Sequence, residues 1–255
     1  MDLSQYGGQV LTPDRLSLLQ SSILLYGPPG PGKTTFLGTV QDVPELCPML
    51  IIDTEGSTSA LGDQYDPTKI HIVRYDSYNP RLAKLLEDLL NKKHPFKTVA
   101  IDTLAGLQQL MIRKASEVNQ DRGKTNNALN LGTPTEADWG AIGTAMNRVL
   151  DAFSKAPFLL ITTAHEVADG GVLRPGIQGK MTPNDLPGRP AVVMYTKVVP
   201  PKAPGNPSDS PMYVGVTGYS LENGRTTIAK DRTGKLPLGI KNPTLSELIR
   251  YTSAK

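Results

Sequence analysis

Apolar residues recur along the chain in short runs that end in small or polar residues. Runs of this length, bounded in this way, are typical of buried strands. One further segment, 70–75, alternates apolar and polar side chains, which favours a strand with one buried face. The predicted strands of this part of the chain are 23–26, 49–53, 70–75, 98–102 and 158–163.

Helical periodicity occupies the segments between these strands. Five leucines of the segment 81–93 lie on one helical face, and a comparable apolar face recurs in 137–154. Thr244 and Glu247 have the spacing of a capping box, which predicts the start of a last helix. The other predicted helices are 13–19, 33–41 and a segment that follows the strand 98–102 and extends to about Glu117. Strands that alternate with helices predict an α/β fold with a mainly parallel central sheet flanked by helices.

The last third of the chain has a different pattern. Three segments, 191–199, 212–217 and 225–230, favour strands that pair as antiparallel neighbours. Two polar segments that contain several glycines, 119–134 and 167–190, predict loops without regular structure. The expected architecture is therefore a mainly parallel sheet with an antiparallel C-terminal extension.

Composition narrows the class of protein. The 255 residues, of which 38% are hydrophobic and 20% charged, suit a single α/β domain over 1–255, with 1–20 as a lead-in. The net charge of +3 permits a nucleic-acid partner without requiring one. Cys47 is the single cysteine, which excludes a disulfide framework. Without a signal-peptide pattern or a membrane-spanning apolar run, we expect a cytoplasmic protein with no membrane partner.

A glycine-rich segment after the first strand carries the clearest chemistry. Residues 27–34 fit G-x-x-x-x-G-K-T between a predicted strand and a predicted helix, the context of a phosphate-binding loop rather than of a chance turn. Loop amides and the positive end of the following helix attract phosphate oxygens. Lys33 would reach the β- and γ-phosphates of ATP, and the Thr34 hydroxyl would bind Mg²⁺. The predicted nucleotide-binding residues are Gly27, Pro28, Pro29, Gly30, Pro31, Gly32, Lys33, Thr34 and Thr35.

Two carboxylates follow apolar strands. Asp102 ends the strand 98–102, as a Walker B carboxylate does, and would hold Mg²⁺ directly or through water. Its alternative role is to cap the next helix. The following residue is Thr103, whereas the AAA+ class usually has a catalytic Glu there. Hydrolysis still requires a group that activates water, and Glu55 is the best candidate; its alternative is an exposed turn residue.

Three further residues are candidates for the outer end of a triphosphate. His165, just beyond the strand 158–163, could hydrogen-bond a γ-phosphate and report its loss, or could be structural. Lys230 and Arg232 are two residues apart on a predicted strand and so point to the same side. Two cations aimed together suit a phosphate bound to a neighbouring subunit. The other interpretation is a charged edge strand.

Taken together, five motifs occur in the order of a RecA-type ATPase core: 27–34, 51–56, 99–103, 160–165 and 229–234. The chain resembles this class over about residues 20–250. More narrowly, it resembles phage-encoded RecA-like ATPases associated with single-strand annealing and recombination. The resemblance implies a RecA-like P-loop NTPase fold that uses ATP and Mg²⁺.

The resemblance also implies roles and partners. Glu55 would be the water-activating residue, Asp102 the Walker B residue and His165 a histidine sensor like that of ring-shaped helicases. Lys230 and Arg232 would act in trans in a homo-oligomer, ring or filament, with ATP between subunits. The segments 119–134 and 167–190 fall where RecA-type proteins place DNA-binding loops. The cations predicted to bind single-stranded DNA are Arg122, Lys124, Arg174, Lys180 and Arg189.

These expectations combine into one functional hypothesis. It is a magnesium-dependent ATPase, stimulated by single-stranded DNA, that acts in phage DNA recombination or annealing in the host cytoplasm. A single-strand-binding protein is a further candidate partner. The alternatives are a ring helicase or translocase motor, and a nucleotide-switched DNA-binding or loader module with little turnover.

Overall fold

A computed structural model describes residues 21–121, 134–179, 186–200 and 212–253. The helix predicted over 13–19 lies outside the described residues. Among the described helices, none combines the length and apolarity needed to cross a membrane. The helices are α1 (Lys33–Gly38), α2 (Pro80–Asn91), α3 (Leu104–Asp121), α4 (Glu136–Ser154) and α5 (Leu245–Ser253).

The strands fall into a parallel core and a later group. The core strands are β1 (Ser22–Gly27), β2 (Met49–Asp53), β3 (Ile70–Arg74), β4 (Thr98–Asp102) and β5 (Leu159–Asp169). The later strands are β6 (Val172–Pro175), β7 (Val192–Val199), β8 (Met212–Val216), β9 (Leu221–Glu222), β10 (Arg225–Thr227), β11 (Lys230–Asp231) and β12 (Gly239–Lys241). Within the described residues, the segments predicted as core strands and as flanking helices form them, although β5 and α3 run past their predicted ends and α1 stops short of its own.

The order of strands across the sheet is β3-β2-β4-β5-β1-β7-β8-β12. Neighbours from β3 to β7 are parallel, whereas β8 pairs antiparallel with β7 and β12 pairs antiparallel with β8. The predicted class, a mainly parallel α/β sheet with an antiparallel extension, is therefore confirmed. Because β1, β2, β4 and β5 run in the same direction, their carboxyl ends meet at one edge of the sheet, where α/β proteins bind ligands.

Two hydrophobic clusters cover the two faces of the sheet. Alternate residues of β1 divide between them, since Leu24 and Tyr26 pack on one side while Ile23 and Leu25 pack on the other. The first cluster includes apolar residues of α2, α3 and α4, and the second includes those of α1 and α5. The sheet is therefore buried on both faces, which explains why its strands are near-continuous apolar runs.

The structure corrects the prediction of a loop over 167–190. Strand β5 continues to Asp169 and returns through Gly170 and Gly171 into β6, and the two strands form an antiparallel ladder. A two-residue Gly-Gly turn is a hairpin signal that the sequence carries. Leu186–Gly188 then forms a 3₁₀ turn.

The segment 225–230, predicted as one strand with antiparallel neighbours, forms parts of two short strands instead. Its first part, β10, pairs antiparallel with β9 and parallel with β6, and its end enters β11, which pairs antiparallel with β7. The break between them has a physical cause, because the Ile228 amide donates to the Tyr26 hydroxyl at 2.7 Å. A buried side chain on another strand therefore takes a hydrogen bond that a continuous ladder would need.

The first helix is also shorter than predicted. Helix α1 ends at Gly38, and a 3₁₀ turn continues over Thr39–Asp42. The Thr39 hydroxyl donates to the Phe36 carbonyl at 2.7 Å and accepts from the Leu245 amide at 2.9 Å. The last turn is thereby joined to α5, whose start at Thr244 agrees with the predicted cap, because the Glu247 amide donates to the Thr244 hydroxyl at 3.2 Å.

Candidate functional site

The glycine-rich loop follows β1 at the carboxyl edge of the sheet. A Cβ atom on Gly27 would lie 2.1 Å from the Thr196 carbonyl oxygen, so the close approach of β1 and β7 requires glycine there. Gly32 precedes α1 with φ near +79°, which favours glycine as well. The close approach of β1 to β7 at Gly27 and the left-handed backbone at Gly32 together determine how the loop enters α1.

A cavity of about 460 Å³ opens beside this loop. Residues 29–35 form one wall, and the other walls include Glu55 and Asp102 at the ends of β2 and β4, and His165 where β5 leaves the parallel sheet. We call it the loop cavity. Its volume is within the range of small-molecule sites. The structure therefore brings together residues that are more than a hundred positions apart in the chain.

Lys33 is buried against its own loop. Its ammonium group donates to the carbonyl oxygens of Gly27 at 3.1 Å and Pro28 at 2.7 Å. Gly27 and Pro28, both predicted to bind nucleotide, thus hold the lysine and do not line the loop cavity. Burial lowers the pKa of Lys33, while the nearby carboxylates, first among them Asp102, act in the opposite direction. The lysine is thereby held at the cavity wall.

Asp102 accepts three hydrogen bonds from hydroxyl groups. The Thr34 hydroxyl donates at 2.9 Å, the Ser57 hydroxyl at 2.7 Å, and the Thr163 hydroxyl donates to the other carboxylate oxygen. The carboxylate is buried, so these donors offset the loss of water. Ser57 was not among the predicted site residues. It and Thr163 reach Asp102 because β2 and β5 pair with β4 on its two sides.

The pair formed by Thr34 and Asp102 has the chemistry of a magnesium site. Both atoms are hard oxygen donors, and they lie within hydrogen-bond distance of each other. Within the described residues, no cluster of three or more His, Cys, Asp or Glu could hold a metal ion by itself. A hydroxyl with one carboxylate suits Mg²⁺, which usually takes its remaining oxygens from phosphates and water.

Glu55 is held by two side chains from neighbouring strand ends. The Thr103 hydroxyl donates to one carboxylate oxygen at 2.7 Å, and His165 Nε2 lies 2.9 Å from the other. The side chain is about 29% exposed, so it is accessible from the loop cavity. The predicted Glu55 and His165 are therefore direct neighbours, and Thr103, the residue that departs from the AAA+ pattern, positions Glu55.

Asp53 fixes the turn that carries Glu55. Its carboxylate accepts from the amides of Glu55 and Gly56 at 3.1 and 2.7 Å, and from the Thr58 hydroxyl at 2.6 Å. Burial would raise the pKa of Asp53, but these hydrogen bonds, led by the one from Thr58, lower the pKa below its ordinary value. An ionised Asp53 therefore organises the backbone around Glu55.

Lys230 and Arg232 lie outside the loop cavity. The Lys230 ammonium group donates to the carbonyls of Pro187 and Gly188 at 2.7 and 3.0 Å, and Arg232 donates to the Gly188 carbonyl at 2.5 Å. The two cations thus share one side of the chain, as the spacing predicts. Burial, together with the charge of Arg232, lowers the pKa of Lys230 to about 8.

The candidate DNA-binding cations are only partly described. Arg122, Lys124 and Lys180 lie outside the described residues. Arg174 forms an ion pair with Asp169 across the β5–β6 hairpin at 3.3 Å. Arg189 contacts Asp151 and donates to Asn147 on α4. Both described cations therefore already neutralise a carboxylate within the chain, and their assignment to DNA binding stays a prediction.

A phosphate loop on a parallel α/β sheet, with a lysine, a hydroxyl and a carboxylate at one edge, defines a P-loop nucleotide-binding protein. The family model described as an AAA domain matches residues 20–233, which is most of the chain. The chain belongs to this AAA-domain family of P-loop ATPases. No curated protein matches the sequence.

Proposed function

We propose that this protein is a magnesium-dependent ATP hydrolase of the RecA type that works as a homo-oligomer on single-stranded DNA. In this proposal it acts in phage DNA recombination or annealing. One observation carries the catalytic part: Glu55 comes from the end of β2, beside rather than directly after Asp102, and lines the same cavity as the phosphate loop. Because Thr103 rather than a glutamate follows Asp102, a RecA-type site needs its water-activating glutamate from a neighbouring strand, and Glu55 has that position.

The residues divide the chemistry among themselves. Loop amides and Lys33 would bind the phosphates, and Thr34 with Asp102 would hold Mg²⁺. The metal would neutralise charge on the phosphate oxygens. Glu55 orients the attacking water and receives its proton. Thr103 and His165 fix the Glu55 carboxylate, so that it need not reorganise during reaction.

Lys230 and Arg232 supply the intermolecular part of the proposal. Both lie outside the loop cavity of their own chain, yet they form a compact pair of cations on one side. A neighbouring copy could present this pair to the outer end of the triphosphate, where charge develops during transfer. An oligomer in which nucleotide lies between subunits follows from this role.

The proposal is tested by steady-state ATP hydrolysis with and without single-stranded DNA, at several protein concentrations. Glu55→Gln should lower turnover by about a hundredfold or more, because a general base of this kind contributes that much, while nucleotide affinity is kept. Glu87→Gln on the exposed face of α2 makes the same chemical change away from the site and should have no effect.

Each part of the proposal can fail separately. Wild-type turnover that survives in Glu55→Gln would assign water activation to another group. Turnover that ignores single-stranded DNA would remove the DNA part and leave a DNA-independent ATPase. Tight binding of ATP without phosphate release, under every condition, would instead favour a nucleotide-switched binding module.

A further inference from the structure

A second cavity of about 340 Å³ shares Glu55 with the loop cavity. We call it the arginine cavity, because Arg74 from the end of β3 and Arg113 from α3 line it together with Gln109 and Asp76. Glu55 lines both cavities and thus forms part of the wall between them. Nothing in the catalytic proposal uses the two arginines.

The cations of the arginine cavity are available to a ligand. Arg113 lies exposed on α3 and has no carboxylate partner within the part of the chain that the structure describes. Arg74 pairs with Asp76 at 3.2 Å, but their side chains are 60% and 84% exposed. Exposed ion pairs of this kind contribute little free energy, so an anion that binds Arg74 more strongly can displace Asp76.

The lining selects for one class of ligand. Two guanidinium groups present planar forks that match tetrahedral oxyanions, and the Gln109 amide adds a neutral donor. Of the two carboxylates that face them, Glu55 is already engaged by Thr103 and His165, and Asp76 is mostly in water. A phosphate-class oxyanion fits this arrangement better than a cation or an apolar molecule does.

Arg74 also contacts the turn that carries Glu55. Its guanidinium packs on Gly56, where a Cβ atom would lie 2.8 Å from the Arg74 Cζ. An anion bound to Arg74 would therefore act on the backbone next to Glu55. The opposite side of the turn is held by Asp53, so a change at Arg74 is transmitted to the Glu55 carboxylate rather than absorbed by a free loop.

We propose that the arginine cavity binds a phosphate-class oxyanion, and that its occupancy shifts the turn that carries Glu55 and raises ATP turnover. The coupling to turnover rests on the proposed catalytic role of Glu55, whereas the binding does not. The anion has two possible sources: inorganic phosphate, including that released by hydrolysis, and a phosphodiester of single-stranded DNA.

The binding experiment uses both sources, with a non-hydrolysable ATP analogue and Mg²⁺ present to fill the loop cavity. Inorganic phosphate is followed by equilibrium dialysis and a labelled oligonucleotide by anisotropy. Arg113→Gln should weaken binding of at least one probe about tenfold, because a charge-assisted contact is lost. Arg148→Gln, which removes the same charge from the exposed surface of α4, should leave both affinities within twofold.

The two probes identify the source. Loss of phosphate affinity alone assigns the cavity to free phosphate. Loss of oligonucleotide affinity, with a salt slope reduced by about 0.7, assigns it to a phosphodiester. Wild-type affinity of Arg113→Gln for both probes would overturn the proposal, provided that its melting temperature is unchanged. Arg113→Lys, which keeps the charge, should recover part of the binding.

The coupling is measured as the ratio of turnover with and without the anion identified in this way. The wild-type ratio should exceed about fivefold, and Arg113→Gln should bring it close to one. Binding that is lost in Arg113→Gln without any change in this ratio would overturn the coupling. If the wild type does not hydrolyse ATP at all, the proposed function fails, while the binding experiment still decides the arginine cavity.

Discussion

Thr103 shows how much a single hydroxyl group can organise. It donates to Glu55 at 2.7 Å and accepts from the Gly106 amide at 2.9 Å, so it joins the end of β2 to the first turn of α3. From the sequence, this position is notable only because an AAA+ protein would usually have Glu there. That Thr103 holds a glutamate from another strand depends on the pairing of β2 with β4.

Replacement of Thr103 by Val should therefore separate binding from catalysis. The variant keeps the shape but loses both hydrogen bonds, so we expect turnover to fall about tenfold while nucleotide affinity stays within twofold. The unpaired Gly106 amide should cost about 1–3 kcal/mol of unfolding free energy. Thr103→Ser keeps the hydroxyl and is the matched control. Equal turnover of the Val and Ser variants would show that the hydroxyl does not position Glu55.

Lys230 makes stability depend on pH with a defined sign. Its pKa is about 8 in the folded chain, below the ordinary value of 10.5. Between these values the unfolded chain binds more protons, so the free energy of unfolding rises with pH. Relative to Lys230→Gln, the wild type should gain thermal stability as pH increases from 8 to 10.5. The difference in melting temperature between the two proteins measures this effect, and a difference that stays flat would contradict it.

Among the elements, α3 is placed by a close contact with the turn after β2. A Cβ atom on Gly106 would lie 2.2 Å from the Thr54 hydroxyl and 2.8 Å from Glu55 Cγ. The helix can approach the turn only because this residue has no side chain. Thr103, which hydrogen-bonds Glu55, also accepts from the Gly106 amide in the first turn of α3. The position of α3 and the orientation of Glu55 are therefore coupled.

Gly106→Ala tests this packing against a matched glycine. Forcing α3 away from Glu55 should cost about 1–3 kcal/mol of stability and lower turnover strongly. Gly140 lies exposed in α4, and nothing lies within 4 Å of the Cβ that would be added there. Gly140→Ala should therefore raise the free energy of unfolding by about 0.5–1 kcal/mol, the usual helical gain. Denaturant unfolding compares the two, and equal stability of both variants would argue against the contact.

The β5–β6 hairpin is an element that the sequence interpretation missed. Strand β5 begins in the buried sheet and ends as an exposed ribbon, so its apolar run stops at Ala164 although the strand continues to Asp169. The first part of β5 is buried on both faces and its last residues are exposed, so the apolar run that predicts a buried strand is absent from its end. Hydrogen bonds to β6 replace that burial, and these depend on a partner that follows the turn.

For the molecule as a whole, the site is assembled by strand order. Gly27 lies opposite His165 in the pairing of β1 with β5, and Asp53 lies opposite Asp102 in the pairing of β2 with β4. Neighbouring carboxyl ends therefore bring the phosphate loop, both carboxylates and the histidine together. In contrast, Lys230 and Arg232 follow the antiparallel side of the sheet and stay outside the loop cavity.

Complementation between variants tests whether the site is shared by two copies. Arg232→Ala should keep nucleotide binding and lose most turnover, and Glu55→Ala should do the same for a different reason. A mixture should recover part of the activity, because one interface in the mixed oligomer has both intact groups. Arg225→Ala, an exposed arginine on β10, is the control and should remain active alone. A mixture with no recovery, from proteins shown to associate, would count against a trans role.

The sequence by itself determined the parallel core and the residues of the phosphate loop, because both depend on local pattern: apolar runs buried on two faces, and glycines at fixed spacing. It also marked Glu55, Asp102 and His165 by their positions at strand ends. Only the tertiary structure decided which hydroxyl groups serve these residues, that Lys230 and Arg232 lie away from the loop cavity, and that Arg74 and Arg113 face Glu55 from a second cavity. The physical reason is that these contacts join strands through register and helix packing, which no local pattern of residues encodes.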